Sequence, residues 1–128
     1  MRASILKQTT FLIASVQGSM SDTDLVNLRE DLASDVRRHR STGVIVDVTM
    51  LDVMDSFAVR TLRGLAQMVK LLGAECVVVG IQPDVALSMV QLGLTLEGTK
   101  TAIDLEDGLD LLNARNDGEK PQIGRAHV

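Results

Sequence analysis

The segment Thr49-Met50-Leu51-Asp52-Val53-Met54-Asp55-Ser56 holds the residues best placed to do chemistry. It follows the apolar run Val44-Ile45-Val46-Asp47-Val48 and precedes a long amphipathic stretch. A short β-branched run of that kind reads as a strand buried on both faces, and sites in α/β sheets form beyond the carboxyl ends of such strands. Asp55 suits the N-cap of the following helix, which puts Ser56 in its first turn. A hydroxyl there is open to solvent. The unpaired N–H groups and the positive dipole end of the helix accommodate a dianion at that spot. A phosphate on Ser56 would therefore leave the helix intact. The same two residues also serve simply to start a helix, and the local pattern by itself favours that plainer role.

Enzymatic alternatives find little support. No G-x-S-x-G elbow surrounds Ser56, and no histidine lies in a strand-end loop to act as its base. His39 falls near the end of the first helix, as a solvated dipole partner. No Walker lysine loop or G-x-G-x-x-G occurs. Asp47, Asp52 and Asp55 suggest a metal-assisted carboxylate of the receiver type. However, Gln17-Gly18-Ser19 supplies no acid pair, and Gly80-Ile81-Gln82 supplies no hydroxyl or lysine. Asp47 is expected to turn outward or cap locally. Cys76 excludes an internal disulfide, and with His39 and His127 it cannot complete a zinc site. It reads as a small buried strand residue, and the methionines read as packing and adaptable surface. No catalytic residue, metal or cofactor is expected.

The chain has 128 residues, enough for one domain with its own core. It carries 13 Lys+Arg against 17 Asp+Glu, a net charge of −4. With no basic run, no Trp, no Tyr and only Phe11 and Phe57, it is not built to bind nucleic acid. No apolar stretch reaches the length of a membrane span, and Phe11 to Val16 is too short for a signal peptide behind Arg2 and Lys7. A cytoplasmic protein without membrane contact is expected.

The elements that would position Ser56 follow from periodicity. Ile5 to Lys7 and Phe11 to Val16 predict two strands, joined by a turn at Gln8-Thr9-Thr10. Leu25, Leu28, Leu32 and Val36 predict a helix capped by Ser21 or Asp22, with Asp24 in its first turn and Arg37, Arg38 and Arg40 at its end. A second helix is predicted over about Ser56 to Leu72, with Val59, Leu62, Leu65, Ala66, Val69 and Leu72 inward. Cys76 to Val79 predicts another buried strand. Pro83 opens a third helix carrying Ala86, Met89 and Val90 inward. Thr99 to Ile103 predicts a last strand, and Asp104 caps a fourth helix through Leu112. The alternation predicts a mixed, mostly parallel sheet of about five strands with helices mainly on one face. Residues 1–113 form the expected domain and 114–128 a mobile polar tail.

Val44 to Thr49, Asp55-Ser56-Phe57, Leu72-Gly73-Ala74 and Gly80-Ile81-Gln82-Pro83 together resemble a STAS domain of the RsbS type, over about Ile5 to Leu112. The resemblance implies a STAS fold of five strands and four to five helices. It also implies a non-enzymatic stressosome scaffold and anti-sigma factor antagonist, phosphorylated on Ser56 by a partner kinase. It further implies partner switching with an RsbT-like serine kinase, RsbR-like STAS co-antagonists and an RsbX-like phosphatase, in a homo- or hetero-oligomer. RsbR-type relatives usually carry threonine at the acceptor position. SpoIIAA-like relatives typically carry Asp-Ser-Ser-Gly, where this chain has Phe57-Ala58 after Ser56. The partner-binding face is expected at Asp52, Val53, Met54, Asp55 and Phe57, although Val53 and Phe57 equally suit the core. Two other readings stay open: an antagonist that binds an anti-sigma factor directly, and a STAS domain that binds a small ligand or nucleotide.

Overall fold

The computed structural model describes residues 4–8, 11–18 and 20–119. The elements are β1 (Ser4–Gln8), β2 (Phe11–Ser15), α1 (Asp22–His39), β3 (Gly43–Asp47), α2 (Ser56–Leu71), β4 (Glu75–Val79), α3 (Pro83–Gln91), β5 (Lys100–Ala102) and α4 (Leu105–Glu119). The strands form one sheet in the order β1-β2-β3-β4-β5. β1 runs antiparallel to β2, and every other pairing is parallel. This is the expected mixed, mostly parallel sheet. Thr9 and Thr10 of the expected turn lie outside the described residues.

The strand order decides where the helices go. Each crossover, β2 to β3, β3 to β4 and β4 to β5, steps one place in the same direction. Right-handed crossovers that step the same way must lie on the same face. Accordingly α1, α2 and α3 share one core. Leu28 and Leu32, Leu62 and Leu65, and Val85 and Met89 pack there with Leu12, Ala14, Val44, Val46, Cys76 and Val78 of the sheet. α4 closes no crossover and covers the other face. Its Leu105, Leu109 and Leu112 meet Phe11, Ile13, Ile45, Val77 and Val79. Adjacent residues of β2, β3 and β4 thus feed opposite cores, which is why these strands read as unbroken apolar runs. The backbone of α4 lies close to β4. A Cβ on Gly108 would stand 2.7 Å from Val79 Cγ1.

α1 starts with a capping box. Ser21 Oγ accepts from Asp24 N at 3.1 Å, and Asp24 Oδ2 accepts from Ser21 N at 3.0 Å. The Ser21 N–H is the main reason the Asp24 carboxyl sits below its ordinary pKa.

Three expectations change. In α3, Val85 and Met89 face inward, whereas Ala86 and Val90 are exposed. In so short a helix the 85/89 and 86/89/90 stripes differ by a small rotation, and docking against the sheet selects the first. Leu72 lies past the end of α2 and is partly exposed. α4 runs on to Glu119, into the expected tail, whose residues 120–128 lie outside the described residues.

Candidate functional site

The site is the connection between β3 and α2, at the carboxyl edge of the parallel strands. Val48 N donates to Val79 O at 2.9 Å, which carries the ladder one residue past β3. Asp47 then turns back on its own loop. Its Oδ1 accepts from Thr49 N at 2.9 Å and from Thr49 Oγ1 at 2.6 Å. Gln82 Nε2, from the β4–α3 connection, donates to Thr49 O at 2.7 Å. Gly80 makes this approach possible. Its φ of +81° is strained for other residues, and a Cβ there would collide with Thr49 Oγ1. Asp47 is therefore the local cap anticipated from the sequence, spent on holding the loop.

The loop continues with alternating fates. Leu51 and Met54 turn inward and join the larger core, whereas Met50 is 62% and Val53 73% exposed. Asp52, Asp55 and Ser56 are exposed. Asp55 is the N-cap of α2, with Oδ1 accepting from Ala58 N at 2.8 Å, and Val59 N donates to Asp55 O at 3.0 Å to begin the helix. Ser56 is the first helical residue. No acid occupies the first turn of α2. Phe57 is half-buried against the core, and its carbonyl accepts from Thr61 Oγ1 at 2.8 Å.

Of the expected docking residues, Asp52, Val53 and Asp55 lie together on the surface with Ser56, and Phe57 is partly withdrawn. Met54 must be removed from that face, because it is only 4% exposed. Its thioether fills the core beneath the loop, where an apolar side chain gains more than at a solvated rim. Met50 is the exposed apolar residue missed from sequence. No signal in the sequence marked it, because Met50 and Met54 are equally apolar and the loop has no regular period.

A cleft of about 190 Å³ opens beside the loop, with Met20, Leu51 and Val53 as apolar wall and Asp22 and Asp55 among its lining. Ligand pockets generally span about 300–1,000 Å³, so this cleft suits a single side chain better than a nucleotide. The larger groove of about 660 Å³ lies between α1 and α2 at Arg37, Met68 and Leu72, at the far end of α2 from Ser56. Among the described residues no cluster of three or more His, Cys, Asp or Glu could hold a metal ion. Burial pushes the Cys76 thiol up to about 12, which keeps it protonated and inert. No helix among the described residues is long and apolar enough to cross a membrane.

A family model for the STAS domain matches residues 2–107. This chain belongs to the STAS domain family. It is similar to a serine-to-glutamate variant of RsbS from Moorella thermoacetica, at 30% identity and a TM-score of 0.78, covering 91% of this chain and 99% of that one. It is similar to a chain from a structure described as the molecular architecture of the stressosome, a signal integration and transduction hub. There the identity is 31% and the TM-score 0.74, over 91% of this chain and 100% of the other. The RsbT co-antagonist protein RsbRA of Bacillus subtilis (strain 168) is 28% identical over 107 residues, which are 84% of this chain and 39% of RsbRA. The chain thus spans about two-fifths of that relative's length.

Proposed function

We propose that this STAS domain is a non-enzymatic scaffold and anti-sigma factor antagonist, switched by phosphorylation of Ser56. Unphosphorylated, it holds an RsbT-like serine kinase against the surface formed by Asp52, Val53, Asp55, Met50 and the exposed edge of Phe57. It assembles in the cytoplasm with RsbR-like STAS co-antagonists in a stressosome-type complex, and an RsbX-like phosphatase resets it. The observation that carries this reading is the exposed Ser56 at the start of α2, directly after a loop that exposes the apolar side chains of Met50 and Val53. The likeness to RsbS and to a stressosome chain supports the assembly, and the name of RsbRA supports RsbT as the partner type.

In the transfer, Ser56 Oγ attacks the γ-phosphorus of ATP. The Oγ–P bond forms, the bond from that phosphorus to the β,γ-bridging oxygen breaks, and ADP leaves. The hydroxyl proton passes to a base on the kinase, which also supplies Mg²⁺. This chain contributes the acceptor and its presentation. The phosphate brings about −1.5 to −2 charges. Against a partner carboxylate ~6 Å away, each charge pair costs on the order of 1–3 kcal/mol near a surface, about a tenfold loss of affinity or more. Release needs no refolding.

The test is mass spectrometry after incubation with the cognate kinase and ATP. Ser56 is expected to gain one phosphate. Ser56→Ala is expected to fold normally and keep the kinase bound with ATP present, and Ser56→Asp to bind it weakly. Labelling of another residue would overturn the site, and equal kinase affinity of the two variants would overturn the switch. A large mixed assembly in a pull-down is expected; a small binary complex with an anti-sigma factor would favour direct antagonism instead.

A further inference from the structure

We infer that Arg60 is the counter-ion of the Ser56 phosphate, and that in the unphosphorylated protein it receives a carboxylate of the docked partner. The inference rests on Ser56 being the acceptor and names how that site is regulated. Ser56 and Arg60 stand four residues apart in α2, and both are exposed. At this spacing two helical side chains are neighbours, with Cβ atoms about 5–6 Å apart. Side chains on a helix lean toward its N-terminus, so Arg60 extends back over the turn that carries Ser56. Anion before cation is also the more favourable order.

Among the described residues the Arg60 side chain makes no ion pair or hydrogen bond. Arg63, one turn further, is engaged with Thr95 O at 3.2 Å. Among the described residues the loop before Ser56 carries two exposed acids, Asp52 and Asp55, and Asp22 at the start of α1 lines the small cleft with Asp55. A guanidinium offers paired N–H donors that fit phosphate oxygens and carboxylates alike. One cation set among acids therefore serves either anion, but not both at once. Phosphorylation then acts twice on the partner. It adds negative charge, and it withdraws the arginine that the partner's acid was using.

The phosphate can be placed without the kinase, by genetic encoding of phosphoserine at position 56. Its ³¹P shift is then followed through the second ionisation, near pH ~6. The neighbouring carboxylates raise that midpoint and Arg60 lowers it, so the comparison of wild type with Arg60→Gln isolates Arg60. The expected result is a midpoint higher by roughly 0.3 unit or more in Arg60→Gln, with Arg60→Lys keeping part of the lowering. Superimposable titrations of wild type and Arg60→Gln would overturn the phosphate contact. Unphosphorylated Arg60→Gln is expected to bind the partner kinase roughly threefold more weakly. Unchanged affinity would overturn the carboxylate contact. Circular dichroism checks that the variants are folded, as expected for an exposed helical position. A kinase that labels some other residue defeats the acceptor reading while leaving the encoded-phosphoserine titration to judge Arg60, so the two failures are distinguishable.

Discussion

Asp55 does two jobs at one position: its side chain caps α2, and its backbone sets Ser56 at the start of the helix. Asp55→Ala removes the hydrogen bond to Ala58 N. The expected cost is about 1 kcal/mol, read as a lowered midpoint in urea unfolding with an unchanged slope. Cys76 makes a separate point at the same scale. Its folded pKa lies at about 12, above the ordinary value of 9.0 for a free thiol. Below pH 9 both states hold the proton, so the burial contributes fully; above it the unfolded thiol ionises first, and stability falls as pH rises toward about 12. The native thiol is therefore expected to resist a thiol reagent at neutral pH and to react after denaturation. Rapid labelling of the folded protein would contradict the buried placement.

Two glycines in helices separate propensity from packing. A Cβ added to Gly64 in α2 would meet nothing within 4 Å, whereas the same atom on Gly108 in α4 meets Val79 Cγ1. Glycine to alanine in a helix interior favours the fold by up to about 1 kcal/mol. Overpacking against a stiff β-branched strand residue costs about 1–3 kcal/mol. Gly64→Ala should therefore raise the thermal midpoint, and Gly108→Ala should lower it. Equal shifts of the two variants would show that α4 does not sit as close to β4 as the structure places it.

At the scale of the whole molecule, the sheet separates a larger core from a smaller one, and the β3–α2 loop belongs to the larger side. Met54 and Leu51 tie the loop into that core, and Asp47, Thr49, Gly80 and Gln82 fix its backbone. The loop before Ser56 is therefore held at both its side chains and its backbone, which is the pre-organisation that the proposed docking would use. Gly80→Ala is expected to disturb the Thr49 contacts and, under the proposed function, to weaken kinase binding through the displaced loop. Met50→Ser and Val53→Ser should alter stability by less than about 0.5 kcal/mol and still weaken binding, because those side chains are already in water. Met54→Ala should cost about 2–5 kcal/mol in unfolding experiments, because it empties part of the core.

Periodicity and punctuation alone determined the strands at Val44 and Cys76, the helix starting at Ser56, the Asp55 cap and the parallel order, because these depend on local backbone chemistry and on the handedness of crossovers. The position of Ser56 was legible for the same reason, since a cap and the residue after it are neighbours in the chain, whereas its acceptor role came from the resemblance and stands as a proposal. Tertiary structure alone decided that Met50 faces out and Met54 in, that α3 buries Val85 rather than Val90, and that Gln82 reaches Thr49 across 33 residues of chain. Equally apolar side chains in an irregular loop or a short helix carry no mark of direction. Their placement follows from which space the sheet and its helices leave to be filled.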